Sequence, residues 1–526
     1  MLRIAPTRSG SPTLYCNERS VHSTYDPLRE ADRFVRENLR GMRPDCVVVL
    51  GPGLGYIVNA VRERFPDARP VSLHLSEEVF QLATAKPQAA WHPGSSEALA
   101  TFLDKHIKEF DLEGLRVLEW LPCIRSFPEQ YRQIVMVFDQ HVRELRGSVA
   151  TTSAMGRTWV RNSLHNFLGI DAIIRSVPVC SNRPTLIVAS GPSLDGLVPT
   201  IREAAERMNL WALPSAVSFL LTSGILPDAV VLTDPGYYAM AHLHPARGMD
   251  IPLIIPLSAA TGAWKLTGRI QLISQGTFHE TGLLSACGLR LQTLPALGTV
   301  AASAMMLAQM LVGGEVYFCG LDFCYRDILS HAKPSVFDTL LRLQEDRLRP
   351  HYGLSFEAAM TRAPTRINGS RTCLPLQTYA GWFRRCGEGA VRCNPSDMEV
   401  PGMRTMQAQE FRRKVLTRWT TPKESPDPQR EAYPDLRRRR AIARRLIHTW
   451  RTVLGEAMVR IDAARTAEPL FEDPRATRLC YYLDLPSLMR LKSNLRCADR
   501  KEALAAARTL LNKSSSFLER LLRMVG

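Results

Sequence analysis

Two short runs in the middle of the 526-residue chain combine glycine with hydroxyl side chains in a pattern suited to holding a phosphate group. The first run, residues 190–193, reads Ser-Gly-Pro-Ser and follows an apolar segment; the second begins a helical pattern at residues 298–299. A helix N-terminus offers unpaired backbone N–H groups and a partial positive charge, which favour an anion. In these runs Gly191 and Gly298 would let the backbone approach a phosphate, Ser193 has the position of a helix cap, and Thr299 stands at the start of the second helical pattern.

Acid–base side chains follow two other apolar runs. Asp234 comes soon after residues 229–232, whereas Asp322 and Tyr325 follow residues 316–319, and His331 lies in the next loop. The carboxyl ends of parallel strands line the ligand crevice of an open sheet, so we expect these side chains near one sheet edge. An imidazole titrates close to neutral pH, which makes His331 a candidate general base, with Asp322 as the alternative. Asp234 is a candidate for orienting a substrate group.

The elements that must position these residues follow from the apolar periodicity. Short apolar runs alternate with helical patterns between residues 185 and 319, which predicts a doubly wound, mostly parallel sheet. A glycine turn at residues 51–56 between two apolar runs predicts a Rossmann-like unit near the start. The pattern becomes purely helical after a proline-rich linker at residues 422–434. The predicted fold class is therefore α/β with an all-helical C-terminal domain.

Four segments are predicted along the chain. They are an N-terminal extension (1–40), a Rossmann-like domain (41–150), a central domain of the doubly wound class (151–420) and a helical domain (421–526). A helix over about residues 150–178, with apolar side chains on one face, is expected to lead into the central domain.

Bulk composition indicates a folded protein, since 45% of residues are hydrophobic and 22% are charged. The N-terminus lacks the apolar core of a signal peptide, and no later stretch approaches about 18 uninterrupted apolar residues, so we expect a cytoplasmic protein without a membrane span. The 12 cysteines include no Cys-x-x-Cys pair, which favours buried reduced thiols over a metal site.

The net charge of +16 is concentrated after residue 400, most visibly in the four arginines at 437–440. Such runs are typical of a solvated helical face and, less often, of a docking surface for an acidic partner or nucleic acid. We expect a protein partner and no nucleic acid.

The glycine turn at residues 51–56 resembles the first motif of methyltransferases that use S-adenosylmethionine. Those enzymes carry an acidic residue two positions before the first glycine, where this chain has Val49, and another at the end of the second strand, where it has His74 or Leu75. Because both carboxylates are missing, a structural role is favoured for this turn.

Taken together, the motifs resemble those of the motility accessory factor (Maf) family of bacterial flagellin glycosyltransferases, over roughly residues 45–410. The pieces that carry this resemblance, in order, are Gly191-Pro-Ser-Leu194, the turn before Asp234-Pro235, the helix start Gly298-Thr-Val-Ala301, and the run containing Gly320, Asp322, Tyr325, His331 and Ala332. The resemblance implies a central domain similar in fold to bacterial sialyltransferases.

The resemblance also implies a function. Members of this family are associated with attaching nonulosonic acids, of the sialic, pseudaminic or legionaminic kind, to Ser or Thr of flagellin, which supports flagellum assembly and motility. Such donors are CMP-activated, and similar sialyltransferases need no metal or other cofactor. By resemblance, Gly191, Pro192, Ser193, Gly298, Thr299 and Tyr325 would hold the donor, whereas Ser190 stands where sialyltransferases often have Asn. The helical C-terminal region is the candidate for recognising flagellin.

Two other functions stay open at this point. The Gly-Pro-Ser-Leu and Asp-Pro pieces also resemble archaeal pterin diphosphokinases, which are much shorter and use magnesium and ATP. The third hypothesis is a non-catalytic, chaperone-like protein that binds flagellin on the same scaffold.

Overall fold

A computed structural model describes residues 2–424, 427–497 and 500–526, and divides them into two units. The first unit comprises the residues up to Ala154 together with Gly455–Lys513, and the second comprises Met155–Leu454 together with Ser514–Gly526. Residues 425–426 of the predicted linker lie outside the described residues. In the described part of the chain, no helix combines the length and the apolar character needed to cross a membrane.

The first unit contains a parallel sheet with strand order β6-β5-β4-β7, which confirms the Rossmann-like βαβ pattern. The first forty residues add an antiparallel sheet, β1–β3, and a helix, α1. The elements up to the first long helix are β1 (Leu2–Pro6), β2 (Pro12–Cys16), β3 (Arg19–Ser20), α1 (Pro27–Asn38), β4 (Cys46–Leu50), α2 (Tyr56–Arg64), β5 (Arg69–Leu73), α3 (Glu77–Leu82), β6 (Ala89–Trp91), α4 (Leu99–His106), β7 (Leu115–Glu119), α5 (Leu121–Ile124) and α6 (Pro128–Gly169).

The glycine turn after β4 is filled by side chains of the same unit. The backbone N–H of Leu54 donates to His22 Nε2 at 2.9 Å, and a Cβ added at Gly53 would lie 2.8 Å from His22 Cε1. Trp120 stacks on His22 with ring centroids 5.9 Å apart. Burial lowers the pKa of His22 to about 3, so the ring is a neutral acceptor at pH 7. This geometry supports a structural role for the turn.

The second unit is built on a larger sheet, whose order among the described residues is β18-β17-β14-β9-β10-β11-β12-β13-β8-β19. Every neighbouring pair is parallel except β8 and β19, which confirms the predicted doubly wound class. The elements are β8 (Ile173–Ile174), β9 (Thr185–Val188), α7 (Val198–Ala205), β10 (Asn209–Ala212), α8 (Val217–Thr222), β11 (Ala229–Val231), α9 (Tyr237–Leu243), β12 (Leu253–Pro256), β13 (Ile270–Ile273), α10 (Phe278–Ala286), α11 (Val300–Leu311), β14 (Val316–Cys319), α12 (Val336–Arg342), α13 (His351–Arg362), β15 (Thr365–Ile367), β16 (Ser370–Thr372), α14 (Leu374–Cys386), β17 (Ala390–Cys393), β18 (Arg404–Met406), α15 (Ala408–Arg418) and β19 (Arg430–Glu431).

The strand order of this sheet reverses between β9 and β14. Strands β10 to β13 extend from one side of β9, whereas β14, β17 and β18 extend from the other. Ligands of open α/β sheets bind at such a switch point, outside the carboxyl ends of the strands. Residues 190–193 follow β9 and residues 320–325 follow β14, so the fold brings these two motifs to the switch point.

The long helix α6 differs from the sequence-based expectation. A helix was expected over about residues 150–178, but α6 begins at Pro128 and ends at Gly169, and the short strand β8 follows. Proline fits the first turn of a helix, where its missing N–H costs nothing, and glycine favours the end. The apolar face after residue 150 is therefore only the second half of the helix.

The described residues after 436 are mainly helical, as the sequence predicts, and they belong to both units. The helices are α16 (Leu436–Ala464), α17 (Glu468–Glu472), α18 (Pro474–Cys497) and α19 (Arg500–Val525).

One arginine of the basic run at 437–440 has a structural role. Arg439 is only 2% exposed, and its Nη1 donates to the carbonyl oxygens of Phe167 at 2.8 Å, Leu168 at 2.9 Å and Ile170. The guanidinium thus caps the C-terminal end of α6, where unpaired carbonyls and the helix dipole favour a cation. The expectation of a solvated face or docking surface is therefore wrong for Arg439, while its neighbours in the run are exposed.

We expect Arg439→Gln to lower the free energy of unfolding by about 3 kcal/mol, because two buried carbonyl oxygens and one part-buried carbonyl oxygen lose their shared donor. Arg440→Gln is the matched control: that side chain is exposed, and its replacement should change stability by less than about 0.5 kcal/mol. Urea unfolding followed by circular dichroism measures both. Equal midpoints for the two variants would contradict the capping role.

Candidate functional site

At the switch point, the ends of β9 and β14 meet backbone to backbone. The N–H of Gly191 donates to the carbonyl of Gly320 at 2.7 Å. A Cβ added at Gly191 would lie 2.6 Å from that same oxygen, and one added at Gly320 would lie 2.5 Å from the Ala189 oxygen. Gly320 also has a φ of 71°, in the left-handed region that favours glycine. Glycine is therefore required at both positions for the two strand ends to approach.

Asp322 fixes the turn that follows Gly191. Its Oδ2 accepts the backbone N–H of Ser193 at 2.7 Å, and its Oδ1 accepts the Ser193 hydroxyl at 2.6 Å. The carboxylate is only 4% exposed, and burial raises its pKa even though the two Ser193 bonds oppose that shift. Both Asp322 oxygens are thus engaged within the protein.

The expectation that Ser193 caps a helix is wrong. Ser193 lies inside a short 3₁₀ turn, Pro192–Leu194, and the next helix, α7, begins later at Val198. Its two donors, which were expected to face a phosphate, point to Asp322 instead. A serine in a Gly-Pro-Ser turn has the sequence context of a helix cap. Its hydrogen-bond partner, Asp322, could not be identified locally because it is distant in the chain.

Ser190 links this turn to the loop that carries His331. The Ser190 carbonyl accepts the N–H of Ala332 at 2.7 Å, and the Ser190 hydroxyl donates to Ser215 Oγ at 2.7 Å. From the neighbouring strand end, the Asn394 amide donates to the Ser193 carbonyl at 2.9 Å. The position of His331 therefore depends on the turn after β9.

The second glycine–hydroxyl run begins α11, as expected. Thr299 is the N-cap, and its hydroxyl oxygen accepts the Ala302 N–H at 3.3 Å. The ring of Trp382 covers the adjacent glycine, since a Cβ added at Gly298 would lie 2.6 Å from Trp382 Cδ1. A molecule approaching this helix start meets an indole ring.

A cavity of about 400 Å³ opens beside the loop that follows β14. Of the predicted site residues, Tyr325 and His331 line it. The other polar side chains important to its chemistry are Tyr238 of α9, Lys333 of the loop, Asp338 of α12 and Arg362 of α13. The residues 190–193 and 298–299 are not part of this lining.

His331 and Tyr325 offer complementary proton chemistry in this cavity. His331 Nδ1 lies 2.8 Å from Ser330 Oγ, so Nε2 is the nitrogen left for exchanging a proton with a bound molecule. Burial, with a smaller effect of His242, lowers the pKa of His331 to about 4, so the ring is neutral at pH 7. Burial raises the pKa of Tyr325, which keeps its hydroxyl proton. The cavity therefore presents one proton acceptor and one donor.

Two cations, Lys333 and Arg362, line the cavity. Lys333 Nζ lies 3.1 Å from Asp338 Oδ1. Arg362 is exposed and forms no ion pair with another described residue, and its charge opposes the rise in the pKa of Tyr325. A guanidinium next to a phenol donor is a suitable arrangement for a phosphate or a carboxylate.

Asp234 lies apart from this lining. It is exposed, and its Oδ1 accepts the Gly236 N–H at 2.6 Å. The Asn162 amide of α6 donates to the Pro235 carbonyl at 3.1 Å and so holds the loop in place. The Asp234 charge raises the pKa of His242 against the effect of burial, so the carboxylate acts on α9.

Lys333, Arg362, Tyr238 and His242 were not identified from the sequence. One signal was available: Tyr238 and His242 are four residues apart on α9, directly after Asp234, and so share a helix face. The α12–α13 segment carries no glycine–hydroxyl motif, and nothing local in its sequence marks it as a cavity wall.

Residues 159–327 match the family described as 6-hydroxymethylpterin diphosphokinase MptE-like. The matched region ends before His331, so it contains most of the sheet but little of the cavity wall.

Three relatives in Treponema pallidum (strain Nichols) carry the description uncharacterized protein. One is 24% identical over 324 residues, covering 60% of this chain and 68% of the relative; another is 24% identical over 387 residues, covering 66% and 63%. A third is 25% identical over 121 residues, covering 23% of this chain and 58% of the relative. The chain thus spans about two thirds or less of the length of these relatives.

Among solved structures, the MAf glycosyltransferase from Magnetospirillum magneticum AMB-1 is similar, with a TM-score of 0.60 and 14% sequence identity. The similarity covers 100% of this chain and 92% of that one. At this identity the comparison concerns the fold alone, and it shows that the two chains share a mixed α/β fold with a helical C-terminal part.

Proposed function

We propose that this protein is a glycosyltransferase that moves a nonulosonic acid from a CMP-linked donor to a Ser or Thr hydroxyl of flagellin. The observation that carries the proposal is the cavity in which a neutral His331, a protonated Tyr325 and the cations Lys333 and Arg362 meet. The Maf-type fold and the motif resemblance support the same function.

The chemistry of such a transfer matches these side chains. The acceptor hydroxyl oxygen forms a bond to the anomeric carbon while the bond from that carbon to the phosphate oxygen breaks, and its electron pair leaves with CMP. Lys333, Arg362 and the Tyr325 hydroxyl would stabilise the charge that develops on the phosphate. His331 would accept the hydroxyl proton. No metal or other cofactor is part of this proposal.

The remaining predicted residues take other roles in the proposal. The Ser190 carbonyl holds the loop of His331 through the Ala332 N–H, and Asp322 fixes the adjacent turn of Gly191, Pro192 and Ser193 by binding Ser193 with both oxygens. Gly298 and Thr299 stay candidates for the nucleotide part of the donor, and Asp234 for orienting a sugar or acceptor hydroxyl. The exposed basic residues of α16 stay the candidates for flagellin.

We expect His331→Gln to slow transfer by about 10²- to 10⁴-fold with little change in donor affinity, because the variant lacks the proton acceptor but keeps the cavity. The measurement is the intact mass of flagellin after incubation with the CMP-linked sugar. His244→Gln, an exposed histidine at the end of α9, is the control and should transfer at the wild-type rate. A His331→Gln enzyme as fast as this control would exclude the base assignment.

The transfer rate should be nearly level from pH 8 to pH 6 and fall as the pH drops through about 4. A base accepts a proton only when it is neutral, and the lowered pKa of His331, about 4, keeps it neutral above that pH. Single-turnover rates across this range test the prediction, with circular dichroism confirming that the protein stays folded. A half-maximal rate near pH 6.5 would show that the base is an ordinary histidine instead.

Arg362→Gln and Lys333→Gln should each weaken the binding of CMP-linked sugar by about tenfold, because each removes a charged partner of the anionic donor. Isothermal titration calorimetry measures the affinity. Arg366→Gln provides the control, since Arg366 is exposed and not part of the cavity lining. Affinities equal to that of the control would place the donor elsewhere.

The match over residues 159–327 favours a second candidate, a pterin diphosphokinase-like activity. The discriminating assay supplies ATP, magnesium and a hydroxymethylpterin, and measures a diphosphorylated product by mass spectrometry. Product here without any mass gain on flagellin would favour the second candidate. Tight flagellin binding without either product would favour the non-catalytic reading.

A further inference from the structure

We propose that His242 is a positioning residue that, together with Asp234, favours the unprotonated form of His331. This assigns a role to a histidine that no motif marks, and it joins Asp234 to His331. The inference rests on the proposed function only in that a neutral His331 acts as the base there. The effect of His242 on the protonation of His331 does not depend on that function.

The geometry of the pair is specific. The rings of His242 and His331 have centroids 6.3 Å apart and are inclined by 27°. Both rings pack on Phe337 of α12, each with a centroid distance of 5.1 Å. His242 is only 8% exposed, and its Nδ1 has no hydrogen-bond partner among the described residues. The rings are therefore held next to each other in a partly apolar setting.

The charged groups around the pair are unequally distributed. Asp234, in the loop before α9, is the carboxylate that acts on His242. On the cavity side, His331 shares the lining with Tyr325 and Lys333 of its own loop, Arg362 of α13 and Asp338 of α12, with Lys333 paired to Asp338. His242 therefore has a carboxylate neighbour, whereas the cavity side of His331 carries more positive than negative charge.

These surroundings determine the order of protonation. Burial lowers the pKa of both histidines, and Asp234 opposes this effect only at His242. The first proton taken up by the pair then resides on His242, and its charge repels a second proton from His331. His331 thus stays neutral and able to accept a proton over a wider pH range than it would alone.

The test is a titration of the full-length protein with nitrogen-15-labelled histidine, followed by NMR, with the His331 signal assigned by its loss in His331→Gln. In His242→Gln the pKa of His331 should rise by about 0.5 to 1 pH unit, because a unit charge at this separation is removed while burial, the larger cause of the lowered pKa, remains. The control His244→Gln should leave the His331 titration unchanged. An unchanged His331 titration in His242→Gln would overturn the proposal.

A second variant covers the case in which His242→Gln does not fold. Asp234→Asn changes an exposed side chain whose amide oxygen can still accept the Gly236 N–H, and it should lower the pKa of His242 and bring the two histidine titrations closer together. If the pKa values of the two histidines stayed as far apart as in the wild type, the role of Asp234 would be contradicted. Neither readout requires transfer activity, so failure of the proposed function would leave these titrations interpretable.

Where transfer is measurable, the acid limb of its pH profile should move to higher pH in His242→Gln, with little change in KM. A purely structural role for His242 would lower activity at every pH without moving that limb.

Discussion

The close approach of the ends of β9 and β14 is the constraint on which the rest of the site depends. Gly191 and Gly320 permit this approach because neither has a Cβ, and the Gly191 N–H donates to the Gly320 carbonyl at 2.7 Å. Asp322 then binds Ser193 through both carboxylate oxygens, and the Ser190 carbonyl holds the Ala332 N–H next to His331. A buried carboxylate without its two donors would be costly, so this local network has one low-energy arrangement. The cavity loop takes its position from that arrangement.

Much of the sheet could be predicted from the sequence, because its strands are short apolar runs separated by helical periodicity. Runs at residues 270–273 and 316–319 coincide with β13 and β14. The function of individual side chains was less accessible. Ser193 has the local context of a helix cap, and its partner Asp322 lies 129 residues away. Arg439 has the context of a solvated basic run, whereas its carbonyl partners belong to α6. Local patterns predict elements well, but the partner of a polar side chain depends on how distant elements pack.

Most of the cavity wall and most of the sheet come from different parts of the chain. The part of the chain that matches the MptE-like family ends at residue 327, whereas Lys333, Asp338 and Arg362 come from the segment that follows. Function in such folds resides in the groups attached to the scaffold rather than in the scaffold itself. Here the loop after β14 with α12 and α13 supplies the cations, and the sheet supplies the fixed points.

The cap that Arg439 places on α6 also has a consequence for the order in which the second unit is completed during synthesis. The side chains that line the cavity all precede residue 363, but the guanidinium that covers the carbonyls of α6 comes later in the chain. Asn162, which holds the Pro235 loop, belongs to the same helix. When the last residue of the cavity lining has been synthesised, the nascent chain therefore still lacks Arg439, which caps α6, the helix that holds the Pro235 loop. During translation, the residues that line the cavity are synthesised before the arginine that caps α6.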